Sequence, residues 1–354
     1  MALKFYPLEV KEIIHETDEA YTIKFDKPNL EVFQYLPGQY ITVKVEIGGE
    51  KLKRAFSLSS SPYTDNFLSI TIKAIPGGKV SNYLQKYLQV GDTLEVYPPL
   101  GNFTVKPAAC NGKHYLLIGG GSGITPLMSI LKSVLEVEPG SRVTLLYGNR
   151  DEKSIIFKQA LENIAEHNDR LELIHVLSQP SERWTGLKGR IEGELLLNII
   201  QDVQRKAQKP IEYYLCGPAG MMATVESTLK KLGVDEKNIH KEHYSALPAI
   251  EEEKQEEEVS YEIITRDVKV ILEGKTYTVT VPAGESILDA AIAQDLDPPY
   301  ACQEGVCSTC RAKLHSGLVQ MQARDGLSDE ELQANYILTC QSYPLTDDVV
   351  IEFA

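Results

Sequence analysis

Along residues 40–47, "YITVKVEI", the apolar Ile41, Val43, Val45 and Ile47 alternate with the polar Thr42, Lys44 and Glu46. The same period of two recurs in "FLSITIK" at 67–73, and "GDTLEVYPPLG" adds a further run bounded by turn residues. A period of two places alternate side chains on opposite faces of a strand. Short strands punctuated by Gly and Pro predict a small antiparallel barrel or sandwich over residues 1–110. Over residues 111–246 the texture changes. "KHYLLIGG", "RVTLLYGNR" and "EYYLCG" lead into the helix-period stretches "PLMSILKSVLE", "IIFKQALENIAEH" and "PAGMMATVESTLKKLG". Alternating strands and helices predict a parallel sheet flanked by helices. Residues 261–354 include "VKVILEGKTYTVTV", a hairpin turning at Glu273-Gly274, and then a helix in "SILDAAIAQD". Between these units lies "LPAIEEEKQEEEVS", residues 247–260, too charged to pack a core. It is read as a linker whose ends lie roughly 20 Å apart as a flexible coil. An exposed charged helix fits the same composition.

Charge sharpens this division. The 354 residues carry a net −14, and residues 260–354 hold 15 acidic and 6 basic side chains. Residues 1–246 sum to zero, so the excess lies in the linker and the C-terminal region. That field argues against nucleic acid as a partner and favours a basic protein surface, although solubility alone also explains it. No apolar run has membrane-spanning length, and the N-terminal residues lack a signal-peptide core, so a cytoplasmic protein with no membrane partner is expected.

Four of the six cysteines are Cys302, Cys307, Cys310 and Cys340, spaced C-x4-C-x2-C-x29-C. A reducing compartment disfavours disulfides. Zinc ribbons use two C-x2-C pairs, and only one is present. The spacing is that of a plant-type [2Fe–2S] site, and the small Gly305, Ser308 and Thr309 leave backbone N–H groups free to face the sulfides. With "SGLVQM" and "YILTCQSYP" in order, the stretch from Val268 onward resembles a plant-type ferredoxin. The resemblance implies a β-grasp fold and one cluster carrying one electron at a time.

"RAFSLSSSP", residues 54–62, resembles the R-x-Y-S-x-S motif of the ferredoxin–NADP reductase family, with Phe56 in place of Tyr. An ordinary buried strand has the same pattern. The resemblance implies FAD held by Arg54 at a phosphate, Phe56 against the ring, Ser57 at the flavin N5 edge, and Leu58 and Ser59 alongside. It places the Ile72 and Lys73 backbone at the pyrimidine edge. In "KAIPGGKVSNYL", Gly78, Lys79, Val80 and Ser81 open a helix whose N-terminus suits a pyrophosphate.

"GSGITP" after the strand "YLLIGG" is a G-x-G-x-x-P variant of the dinucleotide turn, with Pro126 in the first helical turn. It too resembles the reductase family, which implies a nicotinamide cofactor at Gly121, Gly123, Thr125 and Pro126. In "CGPAGMM", Cys216 is implied to lie beside the reactive nicotinamide carbon, with Gly217, Pro218 and Met221 around it. A small buried thiol is the alternative for Cys216, and core filling for Met221 and Met222. Arg150, with Lys153 and Arg183 as helpers, is a candidate grip for a 2′-phosphate, so NADPH is expected ahead of NADH. In "KEHYSAL" the candidates are Glu242 and Tyr244.

The fold class expected is therefore multidomain: an antiparallel β-barrel flavin domain, an α/β parallel-sheet nicotinamide domain and an α+β ferredoxin domain. The order resembles reductase components of multicomponent oxygenases. It implies a reductase passing electrons from NAD(P)H through FAD and a [2Fe–2S] cluster to an oxygenase or other electron-acceptor protein. A di-iron oxygenase of the phenylacetyl-CoA epoxidase kind comes first, and a Rieske-type dioxygenase or several acceptors are the alternatives. An iron–sulfur sensor without catalysis would need a damaged nucleotide site, and both nucleotide motifs are intact. The linker is expected to let the cluster approach the flavin and then turn to a partner, as a tethered shuttle.

Overall fold

The computed structural model describes residues 4–28, 31–244 and 264–353. The linker expected at 247–260 lies outside them. The first unit contains β1 (Tyr6–His15), β2 (Ala20–Asp26), β3 (Tyr40–Ile47), β4 (Glu50–Ser57), β5 (Phe67–Lys73), helix α1 (Lys79–Tyr87) and β6 (Thr93–Leu100). The sheet runs β4-β3-β6-β1-β2-β5, antiparallel throughout. A bridge from Leu58 to Ile70 joins its two edges and closes it into a barrel. Ile41, Val43, Ile70 and Ile72 of the alternating runs fill the interior, and α1 lays Val80 and Leu84 against it.

The second unit contains β7 (His114–Gly120), α2 (Ile124–Val137), β8 (Arg142–Asn149), α3 (Lys158–His167), β9 (Leu171–Leu177), β10 (Leu187–Lys188), α4 (Gly193–Lys206), β11 (Ile211–Cys216), α5 (Ala219–Lys231) and β12 (Ile239–Glu242). Its six strands are parallel, in the order β10-β9-β8-β7-β11-β12. The strand order reverses beside β7, and such a switch point opens a crevice at the strands' C-terminal ends. Helix α2 is buried nearly all round because its outer face meets the barrel. That seam is polar. Ser129 donates to the Ser60 carbonyl at 2.6 Å, and the Ser133 and Ser61 hydroxyls lie 2.7 Å apart.

The third unit contains β13 (Arg266–Leu272), β14 (Lys275–Val281), α6 (Ile287–Ala293), β15 (Arg311–Ser316), β16 (Val319–Met321), α7 (Asp329–Gln333), β17 (Tyr336–Leu338), β18 (Ser342–Pro344) and β19 (Val350–Phe353). The main sheet is β14-β13-β19-β15-β17, with β13 and β19 parallel and the other pairs antiparallel. Glu273 and Gly274 both take positive φ, the geometry a two-residue hairpin needs. Ser286 caps α6, which buries Ile287, Leu288, Ala290 and Ala291. Among the described residues no helix is long and apolar enough to cross a membrane.

The α2 seam makes a direct prediction. Ser129→Ala strips the donor from a buried carbonyl and should cost about 1–3 kcal/mol. Urea denaturation of the wild type and the variant measures it, and equal midpoints would show that the seam contributes nothing.

Candidate redox site

The end of β4 carries the flavin motif. Arg54 and Phe56 are half-buried and Ser57 is buried, while Arg54 Nη1 donates to the Lys53 carbonyl at 2.7 Å. Leu58 points into the barrel core. The Ser59 hydroxyl is bound to Ser69 Oγ at 3.0 Å and Thr71 Oγ1 at 2.9 Å. The N–H groups of both residues are also taken, by Gln39 and Ser69. The side chains of Leu58 and Ser59 are therefore engaged within the barrel. Ile72 is likewise core, whereas Lys73 lines the nucleotide cavity described below.

The α1 N-terminus meets the start of β4, where Lys79 pairs with Glu50. Gly78 sits at the cap with no side-chain hydrogen bond. A Cβ there would stand 2.6 Å from Ser81 Oγ and 2.8 Å from Ile75 Cγ1, so any other residue would push these side chains aside. That buried hydroxyl has no partner. A buried orphan hydroxyl beside a helix N-terminus is the donor set a phosphate takes, and it fits the pyrophosphate of FAD. Val80 is buried in the barrel core, and Lys79 turns outward to Glu50 at 3.0 Å.

The glycine turn between β7 and α2 touches the end of β11. A Cβ on Gly123 would lie 2.0 Å from the Cys216 carbonyl oxygen, so glycine is obligatory for this approach. Pro126 is buried in the first turn of α2. Cys216 is fully buried, and burial, with Glu242 adding to it, pushes its thiol pKa well up. Thr125 Oγ1 lies 2.8 Å from the Tyr244 hydroxyl, which is 3.4 Å from Ser57 Oγ. Tyr244 thus bridges the flavin motif and the nucleotide turn. Glu242 pairs with Cys216 in register across β11 and β12, but it lines a separate crevice of about 140 Å³ with Tyr40, Cys307 and Ser308. Burial, with the Cys302 sulfur adding to it, pushes the Glu242 carboxyl up to about 8, although part of the residue remains accessible. The structure therefore brings Tyr244 to Ser57, and leaves Glu242 facing the cysteine loop.

A cavity of about 480 Å³ opens at the switch point, lined by Gly121, Asn149, Arg150, Ser154, Ser178, Arg190, Pro218 and Met221 among others. Asn149 Nδ2 is buried there without a partner. Gly217 lies under Met221, and Met222 is core. Arg150 stands at the rim, 3.2 Å from Asp151 and 3.6 Å from Glu19. Lys153 and Arg183 are exposed and do not line the cavity. Arg190 and Ser178 do, and no local pattern marks them; the pairing of β10 with β9 brings them in.

The four cysteines form two pairs. Cys310 and Cys340 sulfurs lie 3.3 Å apart over Leu288 and Leu338, and the Cys302 and Cys307 thiols are hydrogen-bonded to each other. The Glu304 N–H donates to Cys302 Sγ at 3.4 Å. Among the described residues no three ligating groups converge as a single-ion site needs. Two thiol pairs, each able to hold one iron, fit a two-iron cluster. Ala301, Cys302 and Cys307 pack directly on Tyr40, Ala55 and Leu100 of the barrel.

Comparison with known proteins agrees with this geometry. Residues 6–105 match an oxidoreductase FAD-binding domain, 117–227 an oxidoreductase NAD-binding domain and 270–345 a 2Fe-2S iron-sulfur cluster binding domain. The chain is 38% identical to a component of the 1,2-phenylacetyl-CoA epoxidase of Escherichia coli (strain K12), over 99% of this chain and 98% of that protein. The chain belongs to the three-domain oxygenase reductase family. It is also 35% identical to the ferredoxin reductase component of 3-ketosteroid-9-alpha-monooxygenase from Rhodococcus rhodochrous, over 98% and 96% of the two chains. Phthalate dioxygenase reductase shares the fold, with TM-score 0.60, 21% identity and 98% of each chain covered. This reductase is thus an oxidoreductase that uses FAD, NAD(P)H and a [2Fe–2S] cluster. The purified reductase should contain flavin and about two irons per chain. Metal analysis checks this, and zinc in place of iron would refute the assignment of the four thiols.

Proposed function

We propose that this reductase takes electrons from NADPH and delivers them to a di-iron oxygenase of the phenylacetyl-CoA epoxidase kind. One observation carries the electron path. The flavin motif meets the nucleotide unit through Ser57 and Tyr244, and the β3–β4 pair that carries it meets the cysteine loop through Tyr40 and Ala55. When bound, the cofactors supply the redox chemistry: the nicotinamide gives up two electrons, and FAD divides them into single electrons for the cluster.

The chain's own residues position and enclose these groups. Arg54 and the Ser81 hydroxyl hold the FAD phosphates, and Phe56 offers a ring face to the flavin. Ser57 stands at the edge where the two cofactors meet. Thr125 and Tyr244 hold the nicotinamide side, and Gly121, Gly123, Pro126 and Gly217 form the cradle. Cys216, buried and protonated, fills the floor without competing as a nucleophile. Cys302, Cys307, Cys310 and Cys340 are the cluster ligands. Glu242 would act on the cluster side of the junction.

Two features support NADPH. Arg150 and Arg190 both line the cavity, and Arg suits a phosphate better than a hydroxyl. The nearby Asp151 carboxylate is engaged at Oδ1 by the Lys153 and Ser154 N–H groups and at Oδ2 by Arg150, which makes it a weaker partner for a ribose hydroxyl. Arg150→Ala should raise KM for NADPH by about tenfold more than for NADH, which is about 1.4 kcal/mol of discrimination. An unchanged ratio would remove Arg150 from the site. Identity to the epoxidase component favours that acceptor, and identity to the steroid monooxygenase component supports a second reading with another oxygenase. Anaerobic reduction of each purified oxygenase component, one at a time, decides between them. Failure to reduce a phenylacetyl-CoA epoxidase oxygenase while reducing another would overturn the first.

A further inference from the structure

Lys53 is an unusual residue for a barrel strand. Its side chain has no solvent exposure, yet its carboxylate partner belongs to another unit. Nζ donates to Asp297 Oδ1 at 2.6 Å and to the Pro298 carbonyl at 2.7 Å. It also lies over the rings of Tyr300, at 4.6 Å, and Phe5, at 5.2 Å. Lys44 takes the second Asp297 oxygen at 3.0 Å. Burial holds the Lys53 pKa down despite its partner. At Asp297, burial acts upward but the two lysines outweigh it and the net is downward. The difference follows from access, since Asp297 is half-open and Lys53 is closed.

The contact extends to the cysteine loop itself. The Tyr40 hydroxyl accepts from the Ser308 N–H at 3.0 Å and lies 3.1 Å and 3.2 Å from the Ser308 and Thr309 hydroxyls. Thr42 reaches Thr309 at 3.2 Å. Asn102 donates to Glu331 at 2.9 Å, and Tyr300 to the Lys51 carbonyl at 3.3 Å. Ser308 and Thr309 lie between two cluster ligands, so the barrel grips the ligand loop rather than a remote part of that unit. The loop has a covered side at Cys302 and Cys307, packed with Tyr40, and an open side, where Gln303 and Glu304 are exposed.

We infer that the Lys44–Asp297–Lys53 clasp and Tyr40 keep the ferredoxin unit seated on the barrel throughout turnover, making it a fixed relay. Lys53 and Asp297 are positioning residues. Electrons enter on the Cys307 side and leave past the exposed Gln303 and Glu304, and no swing of the unit intervenes. Each NAD(P)H oxidised to NAD(P)+ releases one proton to solvent and two electrons. Each passage takes one electron from the reduced flavin and reduces one outside acceptor by one electron. The tethered shuttle expected from the acidic linker is replaced by this arrangement. The inference rests on the proposed electron path.

The test uses the full-length holoprotein. Asp297→Asn should enlarge the particle in small-angle scattering and slow cluster reduction by NADPH at least about tenfold, with flavin reduction unchanged. A second variant joins the units covalently: Lys44→Cys with Asp297→Cys in a Cys110→Ser background, linked by a short bis-maleimide. The linked protein should regain compact scattering and fast cluster reduction and reduce cytochrome c at close to the wild-type rate. Cluster reduction without cytochrome c reduction in the linked protein would show that the unit must move, and would overturn the relay. Unchanged scattering and cluster reduction in Asp297→Asn would overturn the clasp. A wild-type cluster that stays oxidised after flavin reduction would instead overturn the electron path.

Discussion

Tyr40 and Ser57 sit opposite each other across β3 and β4, and the site depends on that register. Cross-strand partners share a face of the sheet. From one end of the pair Tyr40 meets the cysteine loop, and from the other Ser57 meets Tyr244 of the nucleotide unit. Both neighbours are therefore referenced to one rung of one ladder. A slip of one residue in β4 would turn Ser57 to the opposite face from Tyr40 and separate the two contacts.

The seams around this rung are polar for a physical reason. Purely apolar interfaces between units are non-directional, whereas hydroxyl pairs and a buried lysine accept few alternative placements. Ser61 with Ser133, Tyr40 with Ser308, and Lys53 with Asp297 each lose stabilisation if their unit shifts by an ångström. Burying Lys53 costs free energy on its own, and breaking its pair costs more, because a buried charge would be left unmatched. The gain is position, which electron transfer between cofactors requires.

The periodic parts of this fold were legible in the sequence. Alternation at 41, 43, 45 and 47 identified a barrel wall, the repeated strand-then-helix rhythm identified the parallel sheet, and Glu273-Gly274 marked the hairpin of the third unit. The cysteine spacing and the two glycine turns pointed to the cofactors because close approach restricts residue choice locally. Arg190, Tyr40, Lys53 and Asp297 carried no such signal. Lys53 and Asp297 are 244 residues apart, and nothing near either marks it as half of a pair. Glu242 and Tyr244 were both candidates in one short stretch, but only their places, Glu242 ending the last parallel strand and Tyr244 beyond it, separate the residue at Ser57 from the one at the cysteine loop. Lys153 and Arg183 matched by charge alone, and charge without a cavity wall does not make a site.

The closed pocket around Cys216 has a consequence for durability. Reduced flavins give electrons to oxygen, and a reductase that works beside an oxygenase meets the resulting peroxide repeatedly. Oxidants attack the thiolate, and Cys216 is held as a thiol with no surface open to solvent. Cys110, by contrast, is exposed. Burial keeps the Cys216 thiol at the end of β11 out of reach of such oxidants.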